Sequence, residues 1–330
     1  MGWPWLAGPE MRVAMRMRMN GMGKVFVAAA LAAMVSAPAL AEKLMGHGKV
    51  IVTVVNKADK GAPITVPQKD LMVKVDGKTA MISHWQAARN PLQVVLLIDN
   101  SSWGSLGTQM NDIRHFIRTL PADAAVGVAY MENGQAVFSE PLTKDKESAL
   151  RGLHLPSGTP GGSASPYFCL SDLAKHWPSK DMDARREVIM ITDGVDNYQP
   201  RYDPEDPYVQ SAIRDSLKAG LVVYSIYWHS MGIPGGAYFS STGQSLLLQV
   251  SDATGGVAYW QGLSNPVSFQ PYFKEMEQRF GEQYNLEFRA PMYGKKAYKA
   301  NLKVKASVPG AKITAPNRVW FMPPGAGEAQ

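Results

Sequence analysis

The strongest constraint on this chain is a set of strand-length apolar runs: "QVVLLID" at 93–99, "EVIMITDG" at 187–194 and "LVVYSIYW" at 221–228. A strand with one wet face alternates apolar and polar residues. One that is apolar at successive positions must be covered on both faces, as in a parallel sheet with helices above and below. The intervening segments supply such helices. In "GTQMNDIRHFIRTLP", Met110, Ile113, Phe116, Ile117 and Leu120 fall at helical spacing, and Pro121 ends the pattern. "DPYVQSAIRDSLKAG" reads the same way, with Asp206 in the first turn and Gly220 as its stop.

Further helices are expected near 144–152, from about Phe168 to His176, in "QSLLLQVSDATGG", and in "PVSFQPYFKEMEQRFGEQ" ending at Gly281. "AAVGVAYM" and "GQAVFSE" form a strand pair around Glu132-Asn133-Gly134, and "VAYW" a short strand. "MGIPGGAYFSSTG" reads as an inserted loop. Strand and helix therefore alternate from about 93 to 281, which predicts an α/β fold: a doubly wound, mostly parallel sheet flanked by helices.

The flanks read differently. "KVIVTVVN" and "DLMVKVDGKTAMISHW" carry the two-residue alternation of half-wet strands, with Asp76-Gly77 at a hairpin turn. "YNLEFRA", "AYKANLKVKASV" and "RVWFM" at the other end do the same. Each flank is too small to bury a core alone, so the two are expected to join as a small β-sandwich-like subdomain. The predicted order is residues 1–41, a β segment at 42–90, the α/β domain at 91–281, and a β segment at 282–330 packing against the first.

Residues 1–41 read as an export signal. Lys24 precedes "VFVAAALAAMVSAPALA", whose Ala39-Leu40-Ala41 is a small-x-small cleavage pattern. "MRVAMRMRMNGM" upstream offers several alternative initiator methionines. Cleavage after Ala41 is expected, giving a secreted or periplasmic protein with no membrane span; the apolar run is short for one. No cysteine follows the cleavage point closely, which argues against a lipoprotein. Cys169 is the one cysteine of the chain, so no disulfide closes within it, and it reads as a small buried hydrophobe. The formal charge is +6, half of it from Arg12, Arg16, Arg18 and Lys24 set against Glu10. What remains is too small and too evenly spread for a nucleic-acid partner.

Two of the apolar runs end in carboxylates, Asp99 and Asp193, with the Gly/Ser/Thr-rich "LPSGTPGGSASPYF" between them. In open α/β sheets, ligands bind outside the carboxyl ends of the strands. Carboxylates and hydroxyls gathered there present hard oxygen ligands, which suit Mg²⁺ or Mn²⁺. Asp99 and Asp193 also read as helix N-caps, a purely structural role. No Gly-x-Ser-x-Gly elbow surrounds Ser163, the six histidines show no His-x-x-x-His pair, and phosphate-loop motifs are missing, so no enzyme chemistry is indicated. The acid- and tyrosine-rich "DNYQPRYDPEDPYV" after Asp193 reads as either a wall beside the site or a solvated loop.

Asp99-Asn100-Ser101-Ser102-Trp103 and "ITDG" around Asp193 resemble the von Willebrand factor A (VWA) domain over residues 91–281. The order of parts across the mature chain is similar to the bacterial exported "VWFA-related" group. The resemblance implies a metal-ion-dependent adhesion site, written Asp-x-Ser-x-Ser, then a loop Thr, then Thr-Asp-Gly. Carried over, its ligands are Asp99, Ser101, a loop hydroxyl and Asp193. Ser163 is the first choice for the hydroxyl, with Thr159 and Ser165 as alternatives. Trp103 stands where the family has its second serine and offers no oxygen. The implied cofactor is Mg²⁺ or Mn²⁺, and the implied function is an exported, non-enzymatic protein-recognition module whose ion accepts an acidic residue of the protein partner. Alternatives are a metal-independent VWA interaction scaffold in the cell envelope and, more remotely, an envelope hydrolase.

Overall fold

The computed structural model describes residues 44–57, 62–102, 104–158, 164–199, 201–229 and 236–326. The chain opens with β1 (Met45–Asn56), β2 (Leu71–Val75), β3 (Lys78–Thr79) and β4 (Met81–Ala87). Asp76 and Gly77, between β2 and β3, take φ of +47° and +79°, the two positive values that a tight hairpin turn needs.

The α/β part then follows as β5 (Leu92–Asp99), α1 (Met110–Thr119), β6 (Ala125–Glu132), β7 (Gln135–Thr143), α2 (Lys146–Arg151), α3 (Pro166–Lys175), β8 (Arg185–Thr192), α4 (Pro207–Ala219), β9 (Leu221–Tyr227), α5 (Gly236–Thr254), β10 (Ala258–Tyr259) and α6 (Gln270–Gly281). The chain closes with β11 (Gln283–Pro291), β12 (Tyr298–Ala306), β13 (Ala311–Thr314) and β14 (Arg318–Phe321).

Six strands form one sheet in the order β10-β9-β8-β5-β6-β7, all parallel except the β6–β7 hairpin. Every residue of β5 is buried, and the reason is the two-sided cover that its apolar run required. Val94, Leu96 and Ile98 pack with Ile113 and Phe116 of α1 and with Phe273 and Met276 of α6. Val95 and Leu97 face Leu170 of α3, Ile213 of α4 and Leu247 of α5 on the other side. Each such burial contributes about 1.5–3 kcal/mol, so covering both faces is what fixes this layer.

The flanking strands make two four-stranded sheets, β13-β1-β11-β4 and β14-β12-β2-β3, so each sheet mixes strands from both ends of the chain. Their shared core holds Val50, Val52, Val73, Val75, Leu286, Phe288, Leu302 and Phe321. The parallel α/β layer is therefore inserted between the two halves of an antiparallel sandwich.

Local signals explain most boundaries. Asp206 accepts the N–H groups of Tyr208 and Val209 to cap α4, and Gly220 ends that helix at φ +68°. One boundary differs from expectation. The Gly/Ser-rich stretch read as an inserted loop is instead the first turns of α5 from Gly236 onward. Tertiary packing outweighs its weak helix propensity there, because α5 lies directly on the Asp193-Gly194 turn. Among the described residues no helix is long and apolar enough to cross a membrane. Residues 1–41, with the expected signal and cleavage point, lie outside the described residues.

Candidate functional site

Asp99 is the last residue of β5 and Asp193 directly follows β8, the neighbouring parallel strand. Both are buried. Thr192 joins them: its hydroxyl donates to Asp99 Oδ2 at 2.8 Å and accepts the Gly194 N–H at 3.2 Å. Asp193 Oδ1 accepts the Val195 N–H at 2.9 Å, which closes a tight turn after the strand. Gly194 holds φ +68°, and α5 presses against this turn at Gly243, where a Cβ would lie 1.9 Å from the Asp193 carbonyl oxygen. Two glycines facing each other thus allow a helix backbone to reach the carboxylate turn.

The Gly-rich loop is tied to the same rim at both ends. At its entry, Asn100 Oδ1 accepts the Ser157 N–H at 3.0 Å, and the Asn100 carbonyl accepts the Gly158 N–H at 3.1 Å. Asn100 Nδ2 in turn donates to Glu132 Oε1 at 2.8 Å, anchoring the turn on the end of β6. At its exit, the Asn197 N–H donates to the Ala164 carbonyl at 3.3 Å, and the Ser165 hydroxyl bonds Asp196. Ser165 also accepts the Tyr167 N–H as the cap of α3. Three segments far apart in sequence, around 99–102, at 157–158 and 164–165, and around 193–197, therefore meet over one end of the sheet.

The rim is rich in buried acid. Asp196 and Asp206 are at most 1% exposed, and the Oδ2 atom of each has no hydrogen-bond partner among the described residues. Burial pushes the Asp196 carboxyl up, opposed by the Tyr198 N–H and the Ser165 hydroxyl and reinforced by the charge of Asp206. Tyr167, fully buried between these groups, donates to the Gly194 carbonyl at 2.8 Å. Its phenol is pushed well up by burial and by the charges of Asp196, Asp193 and Asp206. Cys169 is also fully buried, and burial together with the nearby Asp99 charge drives its thiol upward. It packs as the small hydrophobe expected, not as a thiolate.

Of the residues implied by the resemblance, the structure brings Asp99, Asp193 and the alternative Ser165 to one rim. Ser101 lies in the turn of 3₁₀ helix after β5, Asn100–Ser102. Ser163, Thr159 and Trp103 lie outside the described residues. The adjacent Ser102 is buried, and its hydroxyl has no partner among the described residues. An orphaned buried hydroxyl beside a carboxylate turn fits a hard divalent cation or its bound water, since all the donors gathered here are oxygens. Sequence reasoning passed over Thr192, Asn100, Asp196 and Asp206 as site residues. The Thr of "ITDG" was a signal for the first; the others required knowing which loops meet.

No family model matches the chain, and neither does any curated protein. Among solved structures, the chain is similar to an aerotolerance-related membrane protein from Bacteroides fragilis NCTC 9343 with multiple mutations to serines, at 14% identity and a TM-score of 0.39, covering 57% of this chain and 98% of that one. It is similar to the SpRpn10 VWA domain at 14% identity and a TM-score of 0.36, covering 55% and 97%. It is also similar to the pilus adhesin SpaC from Lactobacillus rhamnosus GG, in an open conformation, at 9% identity and a TM-score of 0.44. That match covers 74% of this chain but 47% of the adhesin, so the chain spans about half of the adhesin's length. Likeness at this level concerns the fold alone. The six-stranded, mostly parallel sheet between two layers of helices is the doubly wound α/β arrangement that the apolar runs predict.

Proposed function

We propose that this VWA-like chain is an exported, non-enzymatic recognition module that holds another protein on the rim around Asp99 and Asp193. The observation that carries the reading is a group of exposed apolar side chains at this end of the sheet; others, such as Met81, Met182 and Tyr293, lie elsewhere. Leu155, Tyr198, Tyr202, Tyr238, Trp260 and Val267 are all exposed, and all belong to the loops and helix starts around that end of the sheet. Val267 is 89% exposed, and its carbonyl is bonded by Gln109 at the start of α1. Aromatic residues gathered beside a polar rim favour a protein partner, because they bury large areas at small entropic cost.

Asp99, Asp193, Ser101 and a hydroxyl of the Gly-rich loop, Ser163 first, would hold a Mg²⁺ or Mn²⁺ ion at the centre of this face. When bound, that ion supplies an open position for a carboxylate of the partner. The chain's own part is orientation: Thr192 holds the Asp99 carboxylate against β8, and Asn100 fixes the entry of the Gly-rich loop at Ser157 and Gly158.

Calorimetric titration with Mg²⁺ and Mn²⁺ tests the ion. Binding that is lost in Asp99→Ala and in Asp193→Ala supports the site. A second reading, metal-independent binding, is favoured by Trp103, which replaces a ligand oxygen with an indole. It holds if neither ion gives heat or a melting shift and Asp99→Ala leaves partner binding intact. Export is tested by sequencing the N-terminus of the extracytoplasmic form, expected to begin at Glu42.

A further inference from the structure

The other end of β8 carries a second buried carboxylate that recognition at the rim does not use. Glu187 is fully buried where the parallel layer meets the sandwich. Its Oε1 accepts the Gln283 side-chain N–H at 2.8 Å, while its Oε2 has no partner among the described residues. Gln283, also buried, accepts a bond from Arg185 Nη1 at 2.9 Å through its own Oε1. Arg185 further donates to the Phe280 carbonyl at the end of α6 and to the Asn90 carbonyl before β5. Gln283 opens β11, sits opposite Thr53 of β1, and its carbonyl accepts the Ala88 N–H just after β4. One amide therefore links the carboxylate to both chain crossings between the two parts of the molecule.

We infer that this seam is a proton-controlled joint, tight when Glu187 is a neutral acid and loosened when it is charged. The groups that face Glu187 are Arg185 on its own strand, Gln283 on β11 and Tyr224 on β9, whose hydroxyl in turn meets Thr53 of β1. From α6, Arg279 faces Tyr224 and Tyr259 and is held by Glu275 at 2.7 Å. The arginines stay charged throughout the ordinary pH range. Burial pushes both tyrosines up, so they stay neutral across it. Of Glu187, Arg185, Tyr224 and Gln283, Glu187 is the one whose charge changes. Burial pushes its carboxyl up to about 7 from the ordinary 4.5, opposed by the Gln283 amide and the Arg185 charge.

The sign follows. Between those two values the folded joint holds a proton that the unfolded chain has released, so stability is present at the acid end and declines as pH rises. Above the upper value a full charge remains with one oxygen lacking a donor, which is costly in a dry interior.

Hydrogen exchange on the full chain, corrected for intrinsic rates, tests the joint on either side of neutrality. Amides of β1 and β11 at the seam should lose about tenfold or more of their protection from the acid to the alkaline condition, relative to β5. In Glu187→Gln they should stay protected at both, whereas Glu287→Gln, farther along β11, should behave like the unmodified chain. The proposal is overturned if Glu187→Gln follows the unmodified chain across pH. It is equally overturned if carboxyl-labelled NMR of the unmodified protein shows Glu187 titrating at the ordinary glutamate value, a reading that needs no variant to fold.

Discussion

Strand β8 has a buried carboxylate toward each end, Glu187 within it and Asp193 just after it, and the two have opposite surroundings. At the inner end Glu187 is roofed by the sandwich and bonded through one side-chain amide. At the outer end Asp193 sits in a turn whose backbone bonds its own side chain, beside a rim of exposed tyrosines. The same residue chemistry is thus proposed to serve a joint at one end and a binding face at the other. What differs is the covering element: a strand and a helix end above Glu187, loops around Asp193.

Changes at either end can break or sharpen that contrast. The largest effect is expected from Gly243→Ala. Its Cβ would collide with the Asp193 carbonyl, a backbone atom that cannot swing aside, and α5 would have to lift off the turn. A loss of about 3 kcal/mol in urea denaturation is expected, together with weaker ion binding at the outer end. Unchanged stability would show that α5 does not clamp this turn.

Gln283→Leu should come next, at about 2 kcal/mol, because it strips the one side-chain donor from buried Glu187. Its carboxyl should then titrate still higher, and the seam should depend more steeply on pH. If Gln283→Leu flattens that dependence instead, the amide is not the connection between the two parts.

Thr192→Val is the smallest, at about 1–2 kcal/mol, since it removes a single hydroxyl from Asp99 and from the Gly194 N–H. It should weaken Mg²⁺ binding by releasing the Asp99 carboxylate while leaving the pH dependence of the seam untouched. An effect on the seam would mean that the two ends of β8 are coupled.

Much of this was legible in the residues. The run from Val94 to Ile98 could be apolar on both faces only inside a covered sheet, and the structure covers it with α1 and α6 on one side and α3, α4 and α5 on the other. Asp76-Gly77 marked its hairpin because few residues tolerate two positive φ angles in succession. Asp99 and Asp193 were visible as acids ending apolar strands. The start of α5 was not legible, because glycines and serines carry little helix preference and the helix there is held by contact with another segment. The bonds of Asn100 to Ser157 and of Gln283 to Glu187 were equally hidden, the latter joining residues 96 positions apart.

By itself, then, the sequence determined the layer type, the half-wet flanking strands and the acids at two strand ends, since periodicity and local turn chemistry act over a few neighbouring residues. Only the tertiary structure decided which loops meet over Asp99, where a glycine must face a carbonyl, and which amide reaches Glu187. Those outcomes depend on strand order and on distances between segments remote in the chain, and short-range patterning carries no record of either.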